Sequence, residues 1–211
     1  MLEWQVQHKN VICDFLNYLF SKSNKFILKG GTSLMLCYNL TRFSEDIDLD
    51  GFDKNMFLKI VANYVKERPF FTYRIAKDTD TVKRIMLHYD GIKPLKVEVS
   101  YRRKEVAQKD YTIVNVVPSG IIVYTIENIM IMKINAFNSR DKLRDLYDIT
   151  FIYLNYKTFL NVFIINSLRD AIAYKGVEYF DYIIKTQFDD LINANELLTG
   201  FLTMYYELGL K

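Results

Sequence analysis

Apolar positions recur at helical spacing over residues 2–20, where Leu2, Val6, Val11, Ile12, Phe15, Leu16 and Leu19 form one stripe. The spacing predicts an amphipathic helix that packs over a sheet. A polar break over residues 21–25 precedes Phe26, Ile27 and Leu28, which read as a first core strand. Two glycines, Gly30 and Gly31, then lead into a short helix over 32–40 with Leu34, Leu36 and Cys37 turned inward. Past it, Asp46 and Asp48 alternate with Ile47 and Leu49, the period of a half-buried strand. Residues 54–67 return to helical spacing through Met56, Phe57, Ile60, Val61 and Tyr64, stopping before Pro69. Three strand-like runs follow at 70–76, 82–89 and 95–101. The turn Val117-Pro118-Ser119-Gly120 marks the expected boundary between a first lobe, 1–117, and a second, 118–211. Beyond it the pattern is helical to the end. The expected class is α+β, a mixed sheet flanked by helices and followed by a C-terminal helical bundle.

Half of the 211 residues are apolar, enough for one large domain or two small lobes sharing a core. Cys13 and Cys37 lie on apolar runs without zinc or redox spacing and read as buried free thiols of a reducing compartment. No apolar stretch is long enough to span a bilayer and no basic segment leads into a signal-type apolar run. The expected protein is therefore soluble and cytoplasmic, with no membrane partner. Net charge is only +3, yet residues 54–109 carry fourteen Lys and Arg against six Asp and Glu. That local excess reads either as a solvated sheet face or as a surface that attracts phosphate.

The chemistry-bearing stretch runs from Lys29 to Asp50. In a strand, side chains two apart point to one face, with about 6.6–7 Å between them. Asp46 and Asp48 therefore converge on one side while Ile47 and Leu49 hold the core. Two hard oxygen donors at that spacing suit Mg²⁺, which is held by one or two carboxylates plus substrate phosphates. Gly30 and Gly31 sit where strand turns into helix, so free backbone N–H groups can face a phosphate there. Taken singly, an Asp-x-Asp at a strand end is more often a solvated edge or a cap. The run from Asp46 through Asp48 and Asp50 to Gly51 also begins like a calcium loop. It fails at the twelfth position, where Phe57 replaces the bidentate Glu. Further on, Glu98 shares a strand face with Lys96 and Ser100, opposite Val97 and Val99. Lys133 lies on a helix with Ile126, Ile129, Met130, Ile134 and Phe137, and Asp145 and Asp148, three apart, share a helix face.

Jointly, these motifs resemble a known family. Gly-Gly-Thr, a helix, then Arg42-x-Ser44-x-Asp46-Ile47-Asp48-Leu49 is similar to the nucleotidyltransferase core shared by DNA polymerase β-like enzymes. The form with GGT and RFSEDIDL resembles the AbiEii-type toxins of type IV toxin–antitoxin and abortive-infection systems. The resemblance covers roughly residues 25–150. It implies a nucleotidyltransferase-like sheet with Asp46, Asp48 and a third carboxylate, Glu98, holding Mg²⁺ or Mn²⁺. It implies further that Gly30, Gly31, Thr32, Ser33, Arg42 and Ser44 surround the nucleotide. The superfamily more often has Gly-Ser than Gly-Gly-Thr, which leaves open whether Thr32 or Ser33 takes the serine's place. The pattern of Lys133, Arg140 and Arg144-Asp145-x-x-Asp148 also resembles the family, in which the lysine meets the NTP triphosphate and a following aspartate is needed for activity. Asp148 is the preferred acid, because Asp145 can pair with Lys142 or Arg144 instead.

The activity implied is transfer of a nucleoside monophosphate from an NTP to an acceptor hydroxyl, with pyrophosphate as the other product. RNA, in particular a tRNA 3′ end, is the implied acceptor, and a separately encoded antitoxin the implied protein partner. Two other classes compete: the same chemistry on a small-molecule or protein hydroxyl, and a non-catalytic nucleotide-binding protein. The carboxylates and Lys133 speak against the latter, and the basic stretch at 54–109 favours RNA over a small acceptor. From Gly176 onward two Lys stand against six acids, so that segment is not the polyanion-binding face.

Overall fold

Short β-rich runs and longer amphipathic ones assemble here into two units, Met1–Tyr124 and Thr125–Lys211. The computed structural model describes residues 2–210. Among them are seven strands, all in one mixed sheet, and eight α-helices, an α+β architecture.

The first unit holds the whole sheet. Its elements are α1 (Glu3–Lys22), β1 (Phe26–Lys29), α2 (Gly30–Cys37), β2 (Ile47–Gly51), α3 (Phe57–Lys66), β3 (Thr72–Asp78), β4 (Val82–His88), β5 (Leu95–Ser100), β6 (Tyr111–Val114) and β7 (Ile121–Tyr124). The strand order is β3-β4-β5-β2-β1-β7-β6. The pairs β2–β5 and β1–β7 are parallel and all other neighbours antiparallel.

Register sorts the side chains into two faces. Phe26, Leu28, Ile47, Leu49, Val97, Val99, Ile85, Leu87 and Val123 fall on one face and are buried. That face packs against α1 and α3, with Phe15 and Tyr64 rings 5.1 Å apart and Phe26 and Phe57 rings 6.3 Å apart. At the rim, the Tyr64 hydroxyl donates to Asp14 at 2.7 Å, and Arg68 donates to both Asp14 oxygens. The other face carries Lys29, Asp48, Asp50, Arg84, Lys96 and Glu98.

Two strands escape the sequence pattern. The runs YTIV and IIVY are four residues long and do not alternate. Strand β7 sits inside the sheet between β1 and β6, so it needs apolar residues on both sides, and such a run has no period to read. The turn at 117–120, expected to separate the lobes, joins β6 to β7 inside the first unit, and the division falls one strand later, after Tyr124.

The second unit is helical: α4 (Ile126–Ser139), α5 (Leu143–Tyr156), α6 (Val162–Lys175), α7 (Val177–Thr186) and α8 (Ala194–Glu207). Phe180 anchors its core, its ring 4.3 Å from Phe201 and stacked on Phe137 at 5.9 Å. Asn161 caps α6 by accepting from the Phe163 and Ile164 N–H groups, and Asn193 caps α8 in the same way. Among the described residues no helix is long and apolar enough to cross a membrane. Cys13 and Cys37 are free thiols, half-buried rather than sealed. Burial, with a contribution from Cys13, pushes the Cys37 thiol up to about 12.

Candidate active site

The site begins at a backbone constraint. Gly30 takes φ +78° as β1 passes into α2, a conformation that favours glycine. A Cβ there would lie 2.8 Å from Asp48 Oδ2, so the glycine backbone approaches a strand carboxylate closely. A Cβ on Gly31 would meet Ser44 Oγ at 2.7 Å and an Arg42 guanidinium nitrogen at 2.9 Å. Both glycines are thus required by close contact. The first N–H groups of α2 lack intrahelical partners, as at any helix start, and carry the positive end of its dipole.

The hydroxyls beside this turn are used within the fold. Thr32 is fully buried; its hydroxyl donates to the Asp46 carbonyl and lies 3.0 Å from Ser44 Oγ. Ser33, also buried, donates to the Gly30 carbonyl at 2.7 Å. Arg42 donates to the Phe43 carbonyl at 3.2 Å, and it and Ser44 are buried behind Gly31. These four side chains brace the loop that delivers Asp46 and Asp48.

The carboxylates form a row. Asp46 immediately precedes β2, Asp48 and Asp50 follow on the same face, and Glu98 stands directly beside Asp48 in the parallel β2–β5 ladder. Each has basic neighbours. Lys96 pairs with Asp46, and Arg84 pairs with Glu98, donating from Nε at 2.6 Å. Asp50, almost fully buried, accepts from Lys29 at 2.5 Å and from the Tyr124 hydroxyl at 2.7 Å, with Arg103 3.8 Å away. Burial holds the Asp48 carboxyl above the usual carboxylate range; Asp46 and Glu98 push the same way, and Lys96 and Lys29 offset part of it.

That charge state tests the fit to a metal. A half-buried carboxylate whose proton affinity is raised by burial and by two acidic neighbours gains from a nearby divalent cation, and all donors are hard oxygens. Among the described residues no three His, Cys, Asp or Glu side chains are grouped closely enough to hold an ion alone. A site in which Asp46 and Asp48 share an Mg²⁺ ion with substrate phosphates fits this arrangement.

In the second unit, Lys133 of α4 is buried, with its ammonium 2.5 Å from Asp148 and 3.3 Å from Asp145 on α5. Asp145 also accepts from Arg140 Nε at 2.7 Å and from a terminal nitrogen at 3.1 Å. Arg144 instead pairs with Asp189. Asp145 is therefore tied to Lys133 and Arg140, not to Arg144, and both acids of the helix face meet the same lysine.

Several members of this constellation were not singled out from sequence. Asp50 shares the parity of Asp46 and Asp48, and that was the available signal. Lys29, Arg84 and Lys96 become partners of the carboxylates only through cross-strand register, which no local pattern reports.

Comparison with known proteins bears on this geometry. The family model described as nucleotidyl transferase AbiEii toxin, type IV toxin–antitoxin system, matches residues 14–200. Among solved structures, JHP933 from Helicobacter pylori is 26% identical with a TM-score of 0.81, the match covering 99% of this chain and 93% of that one. A putative nucleotidyltransferase from H. pylori is 25% identical with a TM-score of 0.80, covering 99% of this chain and 96% of that one. MenT4, a nucleotidyltransferase toxin from Mycobacterium tuberculosis, shares the fold at 15% identity and a TM-score of 0.62, over 95% of this chain and 82% of its own. No curated protein matches the chain.

Proposed function

Because the chain belongs to the AbiEii family of type IV toxin–antitoxin nucleotidyltransferases, we propose that it transfers a nucleoside monophosphate from an NTP to an RNA hydroxyl, the 3′ end of a tRNA. The observation that carries this reading is the contact of the Gly30 turn with Asp48. It places a helix start, suited to phosphate, beside the carboxylates suited to a metal.

Asp46 and Asp48 would hold Mg²⁺ together with the substrate phosphates, with Glu98 beside Asp48 as the third acid of the site. The ion when bound supplies charge neutralisation at the triphosphate and lowers the pKa of the acceptor hydroxyl. Backbone N–H groups at Gly31, Thr32 and Ser33 bind the outgoing pyrophosphate. Thr32, Ser33, Arg42 and Ser44 serve the nucleotide by fixing that backbone through the buried hydrogen bonds described above. Lys133 takes the triphosphate-binding role implied by the resemblance, with Asp145 and Asp148 orienting its ammonium. The acceptor oxygen forms a bond to the α-phosphorus, the bond to pyrophosphate breaks, and the hydroxyl proton leaves to solvent. The protein works in the cytoplasm, and a separately encoded antitoxin restrains it.

The test is incubation with each labelled NTP, Mg²⁺ and total tRNA, alongside Asp48→Asn. Labelled tRNA with wild type and none with the variant supports the reading. Label on protein or on a small molecule, with tRNA unlabelled, refutes the RNA acceptor and leaves the transferase.

A further inference from the structure

The polar sheet face continues past the carboxylate row into a cavity of about 300 Å³. The Phe52 N–H donates to the Lys25 carbonyl at 3.0 Å, extending the β1–β2 ladder by one pair. Register then puts Phe52, Ile27, Ile122 and Tyr111 on the same face as Asp48. These four line the cavity, and Lys25 and Lys104 flank it, with Glu105 the one acid in its wall. At about 3.3 Å per residue, Phe52 lies about 13 Å along β2 from Asp48.

We propose that this cavity binds one nucleotide of the acceptor RNA, upstream of the reacting hydroxyl; the proposal rests on the RNA reading above. Volume is the first argument. The space is at the lower end of the range of small-ligand sites, right for a base with its ribose and too small for a folded element. Chemistry is the second. Two aromatic residues beside two isoleucines on one sheet face offer surface on which a base can stack, and two lysines exceed the single carboxylate by the charge of one phosphodiester. The path is the third. Between Asp48 and the cavity stands Asp50, which Lys29 and Arg103 already offset in charge and to which the Tyr124 hydroxyl donates. A polyanion can cross that point without meeting an uncompensated carboxylate.

The experiment measures binding of a labelled single-stranded RNA of about ten nucleotides by anisotropy, with Mg·NTP binding followed by calorimetry. Phe52→Ala and Tyr111→Ala should each weaken RNA binding about tenfold, the lower part of the range for losing a stacking platform. The double variant Lys25→Ala/Lys104→Ala should lower the salt slope by about 1.4 units, two contacts at about 0.7 each for a single strand. Val106→Trp fills the cavity from its wall while leaving both rings in place, and should weaken RNA binding in the same way. A melting curve identifies any variant that fails to fold, and NTP binding should be unchanged in all. If wild type labels RNA and every folded variant binds it within twofold of wild type, the cavity assignment fails and the acceptor reading stands. If wild type neither binds nor labels RNA, the acceptor reading fails and takes the cavity assignment with it.

Discussion

Replacing Lys133 by alanine removes an ammonium that lies 2.5 Å from Asp148 and 3.3 Å from Asp145, both almost fully buried. At an effective dielectric constant of about 20, the gross attraction is about 6–7 kcal/mol for the shorter pair and about 5 kcal/mol for the longer. Desolvation of the three charges cancels much of this, and Asp145 keeps Arg140. What remains is the cost of breaking the buried Lys133–Asp148 pair on one side, about 3–5 kcal/mol. For a chain of this size that is a fall of roughly 6–20 °C in melting temperature. Calorimetry on Lys133→Ala, Asp148→Asn and the double variant tests this. The double variant should lose less than the sum of the single changes, with a coupling of at least about 1 kcal/mol, because both changes break the same buried pair. A Lys133→Ala protein that melts within about 2 °C of wild type would refute the argument. Activity assays of Lys133 variants belong well below their melting point, where any change in NTP binding is separable from loss of fold.

Other outcomes follow from the first unit. Asp48→Asn should abolish nucleotide transfer yet raise the melting temperature of the protein without Mg²⁺, since it removes a charge that burial and two carboxylates disfavour. The sign of the pH effect is fixed by the raised pKa: Asp48 contributes stability at acid pH that is lost as pH rises through its titration. A wild type to Asn gap that does not widen from acid to neutral pH sinks this account. Gly30→Ala should lose both stability and transfer, because the Cβ meets Asp48 at 2.8 Å in a backbone region alanine disfavours; comparable turnover in that variant would show that the turn relaxes freely. Cys37 should resist alkylation at pH 8 in the folded protein and react in urea, its thiol being held near 12. Expression alone should slow bacterial growth, and Asp48→Ala at matched protein level should restore it.

The centre of the site was legible because local rules govern it. Gly30-Gly31 marks a strand-to-helix turn, and Asp46-Ile47-Asp48-Leu49 spells a half-buried strand, and both formed as such. The α+β class followed from the same periods. Direction was harder to read than position. Thr32 and Ser33 were placed correctly at the start of α2, but no sequence rule says that their hydroxyls turn inward to Ser44, Asp46 and Gly30. The pairings of Lys96 and Arg84 with carboxylates depend on β5 lying between β2 and β4, a long-range fact. Strand β7 was missed because four apolar residues in a row fit a buried strand and a helix segment equally well, and β6, an edge strand of four residues, is too short to show a period.

Strand β2 couples folding fidelity to chemistry. Its core residues Ile47 and Leu49 and its acids Asp46, Asp48 and Asp50 alternate without a break. Pairing shifted by a single residue would send the acids into the space between the sheet and α1 and put the leucine and isoleucine on the polar side. No such chain could close its core, since unpaired buried carboxylates cost far more than the packing returns. The native register of β2 is thus held by the same alternation that presents its acids. For an enzyme whose family is described as toxins, the consequence is that a chain with β2 out of register loses its core and its row of acids together.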